Sequence, residues 1–128
     1  MTKKLPPIKK EALIYQDKKM YACLAQYPVT PGHVVVVWKK KVRDLRLLSI
    51  SEYDYLLEAV DAVRKAMLQA LRIQKVYLVY MDEVRHVHWH LIPRYNIKGF
   101  NIFLHNPKKV VDFSLARKIK KFLKFKIK

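Results

Sequence analysis

His86-Val87-His88-Trp89-His90-Leu91-Ile92-Pro93-Arg94 is the stretch on which the reading of this chain turns. Val, Trp, Leu and Ile fill a pleated surface well, and the run closes on a proline, which ends or edges a strand. Successive side chains of a strand point to opposite faces. His86, His88 and His90 are therefore expected on one face, about 7 Å apart at each step, since a strand rises about 3.3 Å per residue. Val87, Trp89 and Leu91 share the other face and are expected in the core. The chain has five histidines, and three stand in this one alternation.

Imidazole titrates near neutral pH, so it serves as nucleophile, acid, base or metal ligand. One use is nucleophilic catalysis, in which one imidazole attacks phosphorus while its neighbours hold its tautomer and protonate the leaving group. Another is a zinc site built from two histidines at i and i+2, with Asp82, Glu83 or His33 available to complete it. A purely structural role would require several polar partners for three buried imidazoles, which an apolar core does not offer. The residues alone leave the first two uses open.

Outward from this strand, the pattern gives strands at Glu11 to Tyr15 and Met20 to Leu24, with Gln16-Asp17-Lys18-Lys19 as the turn. Leu5-Pro6-Pro7 is an extended lead-in. Tyr27-Pro28-Val29-Thr30-Pro31-Gly32 is a loop, and His33 to Trp38, with four consecutive valines, is a central strand. Ser49 with Glu52 fits a capping box. After it, Ile50, Tyr53, Leu56, Leu57, Val60, Val63, Met67, Leu68 and Leu71 form the apolar stripe of a long helix. Val76 to Met81 is a further strand, with Tyr77, Val79 and Met81 on one face, and a tight turn at Asp82-Glu83 leads into the histidines. His105 belongs to a surface loop. Asp112 or Ser114 caps a last helix, whose packed side is Leu115, Ile119, Phe122 and Leu123. The layout is α+β with an antiparallel sheet of about five strands, one long helix and a C-terminal helix.

The chain has 128 residues and a formal charge of +17, and 52% of it is hydrophobic. Such a composition supports one folded domain rather than disorder. No apolar run is long enough for a membrane span, and no secretory signal follows the basic N-terminus. A single Cys23 rules out an internal disulfide and fits a reducing, cytoplasmic setting. Charge gathers at the ends: four lysines in 1–10 and seven basic residues in 117–128, with no acid in either. The expected organisation is a basic extended lead-in (1–10), a domain over 11–116 and a basic helix or tail over 117–128. This balance favours phosphate-bearing partners such as nucleotides, RNA or an anionic surface.

His-φ-His-φ-His-φ-φ, where φ is apolar, resembles the signature of the histidine-triad (HIT) nucleotide hydrolases and transferases, and residues 86–92 match it without a gap. Tyr21-Ala22-Cys23-Leu24 with Pro28, then Pro31-Gly32-His33-Val34-Val35-Val36, is similar to the family's earlier strand and Pro-Gly-His turn. The resemblance implies two helices on an antiparallel sheet, commonly a homodimer, with a nucleotide or nucleotide conjugate as substrate. It implies that His88 is the nucleophile toward the α-phosphorus, forming a nucleotidyl-phosphohistidine that water cleaves. His86 fixes the orientation of its neighbour, His90 contacts the phosphate or leaving-group side, and His33 supports the triad. It implies no metal and no cofactor. Histidine rather than glutamine at position 90 favours the hydrolase branches, acting on a dinucleoside polyphosphate or nucleoside phosphoramidate. The chain departs from many members in lacking a Gly-Gln phosphate loop before the triad, with Asp82 and Arg85 as the nearby candidates for phosphate contact. Lys41 and Trp38 also replace residues common in the family. Alternative readings are a nucleotide-binding protein with little activity, an RNA-binding module using the basic tails, and a zinc-dependent hydrolase using the histidine cluster.

Overall fold

A computed structural model describes residues 5–99, 101–104 and 108–125. Its five strands are β1 (Leu13–Gln16), β2 (Met20–Leu24), β3 (Val34–Trp38), β4 (Lys75–Val79) and β5 (His88–Arg94). They form one antiparallel sheet in the order β1-β2-β3-β5-β4. Helix α1 (Ile50–Leu71) joins β3 to β4, and α2 (Ser114–Phe122) follows β5. The expected α+β layout is therefore present. No helix among the described residues is long and apolar enough to cross a membrane.

Register sorts the sheet into two faces. Met20 pairs with Trp38, Ala22 with Val36, and Leu24 with Val34, which in turn faces Leu91. All of these are buried and join the core beneath the helices. The alternate positions make the other face, on which Tyr21, Val37 and His88 form one row. Cys23, Val35, His90 and Val79 form the next. The alternation in the sequence thus builds a greasy underside and a chemically equipped upper side.

Ser49 and Glu52 close the capping box: the Glu52 amide donates to Ser49 Oγ at 3.2 Å, and the Ser49 amide to the Glu52 carboxylate at 2.8 Å. The buried side of α1 is Tyr55, Leu56, Ala59, Val60, Val63, Ala66, Met67 and Ala70. Ile50 departs from the expected stripe and is 83% exposed. Small alanines fill stripe positions that a search for large apolar residues passes over.

Three other details are set by local contacts. Glu11 and Ala12 lie in a 3-10 turn (Lys10–Ala12), where the Ala12 amide donates back to the Lys9 carbonyl, so β1 starts later. Of the two residues expected to cap α2, Asp112 serves, accepting from the Ser114 amide at 2.9 Å. Of the expected packed side of α2, Ile119 is fully buried and Leu115 and Leu123 pack against the core, whereas Phe122 is 41% exposed and Ala116 is fully buried. Helix α2 crosses residue 117, and Phe125 beyond it stands edge-on to Tyr15 (5.4 Å between ring centroids) and Tyr55 (5.5 Å). Asp17 accepts from both tyrosine hydroxyls, which ties this aromatic cluster to the β1–β2 turn. His105 lies outside the described residues.

Candidate active site

The Pro-Gly-His turn is fixed before it meets the histidine strand. The Thr30 hydroxyl donates to the Pro93 carbonyl (2.7 Å), the Tyr95 hydroxyl to the Pro31 carbonyl (2.6 Å), and the His33 amide to the Thr30 carbonyl (3.1 Å). Gly32 takes φ +88°, and a Cβ there would sit 2.9 Å from Leu71 Cδ1. Gly32→Ala is expected to cost about 1–2 kcal/mol in urea unfolding, chiefly from forcing a side chain into the left-handed region. An unchanged unfolding midpoint would show that the turn is not held as described.

His33 Nδ1 accepts from the Val29 amide at 3.0 Å, so its proton sits on Nε2. Nε2 lies 3.0 Å from His90 Nδ1 and donates to it. His90 then keeps its own proton on Nε2. Burial pushes the His90 pKa down to about 4, the neighbouring His88 adds to that, and a hydrogen bond to the Met81 backbone opposes it. His90 is a neutral imidazole at physiological pH.

His88 is buried, and its Nδ1 lies 2.6 Å from the His86 carbonyl. A carbonyl only accepts, so Nδ1 carries the proton and Nε2 is left with its lone pair. The rings of His88 and His90 are 4.9 Å apart, and those of His90 and His33 5.2 Å. Three imidazoles are thus linked, but they are His88, His90 and His33.

His86 is placed differently from the expectation of three histidines on one strand face. β5 begins at His88, and residues 83–86 form a bend rather than a tight two-residue turn. The cause is Asp82, whose carboxylate accepts from the Val84 amide (2.9 Å) and the His86 amide (3.0 Å), wrapping the chain around itself. His86 Nε2 donates to the Trp38 carbonyl at 2.5 Å. This residue holds its neighbour through its backbone oxygen, while its ring ties the bend to β3. The anchor is the backbone carbonyl at position 38, which any residue there would present. Lys41 is exposed.

The Asp82 side chain is 10% exposed and its Oδ1 lies 4.0 Å from His88 Nδ1. The carboxylate thus faces the side of the His88 ring away from the lone pair. Arg85 is exposed in the left-handed region (φ 54°) on the same bend. Tyr80 stands 6.4 Å from the His88 ring. Its buried hydroxyl neighbours Asp82 and the His88 amide without a hydrogen bond of good geometry, and burial, followed by the Asp82 charge, pushes its pKa up to about 12.

A cavity of about 210 Å³ lies over this face, with Tyr21, Cys23, Val35, Val37, His88 and His90 on its floor. Leu5 to Lys9, Tyr27 and Phe113 wall it. A second cavity of about 760 Å³ adjoins it, lined by Tyr77, Val79, Met81, Ile92 and Phe103. Tyr27, His33 and His90 border both. On this floor burial pushes the Cys23 thiol up to about 11 and Tyr21 up to about 12, so neither ionises near neutral pH. The wall from 5–9 was not foreseeable as a site element: the prolines fix an extended form but say nothing about where it lies. Among the described residues no three His, Cys, Asp or Glu side chains are grouped to hold a metal ion.

The His90 environment gives a pH prediction. Folding lowers its pKa from about 6.5 to about 4, so in that window the unfolded chain binds a proton that the folded chain does not. Stability contributed at neutral pH is lost as pH falls, by at most about 1.4 kcal/mol per pH unit. His90→Asn is expected to flatten the slope of unfolding free energy between pH 6.5 and 4.5. An identical slope in the variant would contradict the assignment of neutral, desolvated His90.

Comparison with known proteins agrees with this architecture. The HIT domain family matches residues 7–97. An uncharacterised HIT-like protein of Saccharolobus solfataricus is 26% identical over 90 residues, covering 66% of this chain and 65% of that protein. A bis(5'-adenosyl)-triphosphatase of Saccharomyces cerevisiae is 26% identical over 96 residues, covering 70% of this chain but 47% of the yeast enzyme. This chain thus spans from about half to just under two thirds of those relatives' lengths. The crystal structure of a Hit-like protein involved in cell-cycle regulation from Bartonella henselae superposes with a TM-score of 0.73 at 25% identity, covering 88% of this chain and 86% of that one. With a family match over residues 7–97, and with His88 and His90 on β5 and His86 in the bend that leads into it, this chain belongs to the HIT-domain family.

Proposed function

We propose that this chain is a nucleotide phosphohydrolase that cleaves at the α-phosphate of a nucleotide conjugate. The observation that carries the proposal is the tautomer of His88: Nδ1–H is held by the His86 carbonyl, which leaves the Nε2 lone pair at a cleft floor. Nε2 attacks the α-phosphorus, and the bond from phosphorus to the bridging oxygen breaks, its electron pair leaving with the departing phosphate. A nucleotidyl group is then bonded to His88. Water attacks the same phosphorus, the P–N bond breaks, and a nucleoside monophosphate is released with His88 restored. Neutral His90 and His33 brace the ring without adding a competing positive charge.

Two cavities meeting at His90 suit a substrate with a group on each side of the scissile bond. The larger one, about 760 Å³, falls within the size range of sites for small ligands. That supports a dinucleoside polyphosphate over a small phosphoramidate, and the yeast relative's name is in keeping with it. The test is turnover on a panel of dinucleoside tri- and tetraphosphates and nucleoside phosphoramidates, with calorimetry on AMP and GMP alongside. Release of nucleoside monophosphate supports the proposal. Tight monophosphate binding with no turnover of any substrate would replace it with a binding role.

A further inference from the structure

Helix α2 presents a feature that the triad does not use. Ala116 and Ile119 face the core, so Arg117, Lys118 and Lys121 fall on the outer side, and Lys124 follows just past the helix end; all four are exposed. The helix and its flanking residues 115–125 contain no acid. Among the described residues, none of the four is in a salt bridge; Asp112, at the start of the helix, is the acid whose field Arg117 feels. The 3-10 turn Lys10–Ala12 packs against α2, and Lys9, next to it, places its ammonium 5.6 Å from the Phe113 ring. Lys9 and Lys10, both exposed, add two cations beside α2, followed by Glu11.

An ordinary solvated helix face looks different in this same molecule. On α1, Asp61 is paired with Arg64 at 2.9 Å and with Lys65 at 3.0 Å, so charges of both signs alternate. On α2, like charges sit three and four residues apart, an arrangement that repels and weakens a helix. Tertiary packing through Ala116, Ile119 and Phe125 holds the helix despite that repulsion.

We propose that the outer face of α2, with Lys9 and Lys10, binds the phosphate backbone of RNA without sequence preference. A polyanion is the partner that turns this single-sign surface from a cost into a contact. Insertion into a membrane is disfavoured because Ala116 and Ile119, at the centre of the apolar side of α2, are fully buried, which leaves only Phe122 at the margin. The outer face carries cations and no base-reading pattern, so backbone contact without sequence readout is the expected mode.

The test is fluorescence anisotropy of a labelled mixed-sequence single-stranded RNA with the full chain. With four phosphate contacts, affinity is expected to fall about fifty-fold between 50 and 200 mM salt. Arg117→Glu/Lys118→Glu/Lys121→Glu should abolish binding while keeping the wild-type melting curve. A milder set, Arg117→Gln/Lys118→Gln/Lys121→Gln, covers the case in which the reversed helix unfolds and should lower both the affinity and the salt slope. Reversal of Arg72, Lys75 and Lys98, which lie on other elements, and His88→Ala should each retain binding. Equal loss in the Arg72, Lys75 and Lys98 variant would reduce the effect to net charge and overturn the proposal. So would tighter binding to vesicles rich in phosphatidylserine than to RNA, or unchanged RNA binding in the Gln variant.

Discussion

His88→Ala is expected to lose at least about 10,000-fold in turnover, as removal of a covalent nucleophile does in enzymes where several groups act as a unit. The fold should survive. The substitution deletes one ring from the upper side of the sheet and leaves the His86 carbonyl without its donor, a change of about 1 kcal/mol. The measurement is a steady-state rate on the best substrate of the panel, together with a thermal melt. Added imidazole is expected to restore part of the rate, because a free ring can occupy the vacated space and supply the same lone pair. Wild-type turnover by a well-folded His88→Ala would sink the assignment of this nitrogen as the attacking atom.

The second large effect is expected at Asp82. Its Oδ1 lies 4.0 Å from His88 Nδ1, and the side chain is 10% exposed. When His88 Nε2 bonds to phosphorus, the ring becomes an imidazolium, and the carboxylate stabilises it. Two unit charges at this distance attract by about 4 kcal/mol in an effective dielectric of about 20. Losing a third of that slows the attack about tenfold. Asp82→Asn retains an oxygen to accept from the Val84 and His86 amides, so it should melt within a few degrees of wild type while reacting at least about ten times more slowly. Asp82→Leu removes the acceptor as well and should lose both stability and rate. A full rate in a stable Asp82→Asn protein would reduce this residue to a loop cap.

Much of this was legible because the period of the pattern changes where the structure changes. The alternation at 87–91 sets His88 and His90 opposite Val87 and Leu91, and that assignment of faces holds. Ser49 and Glu52 mark the start of α1 through a local hydrogen-bonded exchange that needs no tertiary information. The rest depends on partners distant in sequence. His86 fits the alternation but lies before β5, because Asp82 captures its amide and the ring finds the Trp38 carbonyl. The available signal was an aspartate four residues before a histidine, in the kind of side-chain-to-backbone arrangement that competes with a strand. The cleft wall from Leu5 to Lys9 and the role of Phe113 depend on how the two ends of the chain pack over the sheet, which no local pattern records. Phe122 looks like a core residue by spacing, yet Ala116 and Ile119 set the packed direction of α2 and leave it at the margin.

The most direct test of the account is the stereochemical course at the α-phosphorus. One diastereomer of an α-thio substituted dinucleoside polyphosphate, hydrolysed in heavy-oxygen water, yields a chiral nucleoside thiophosphate. Attack by His88 followed by attack of water comprises two displacements, and the account predicts net retention. Net inversion would mean that water attacks directly, and it would contradict a covalent intermediate on His88.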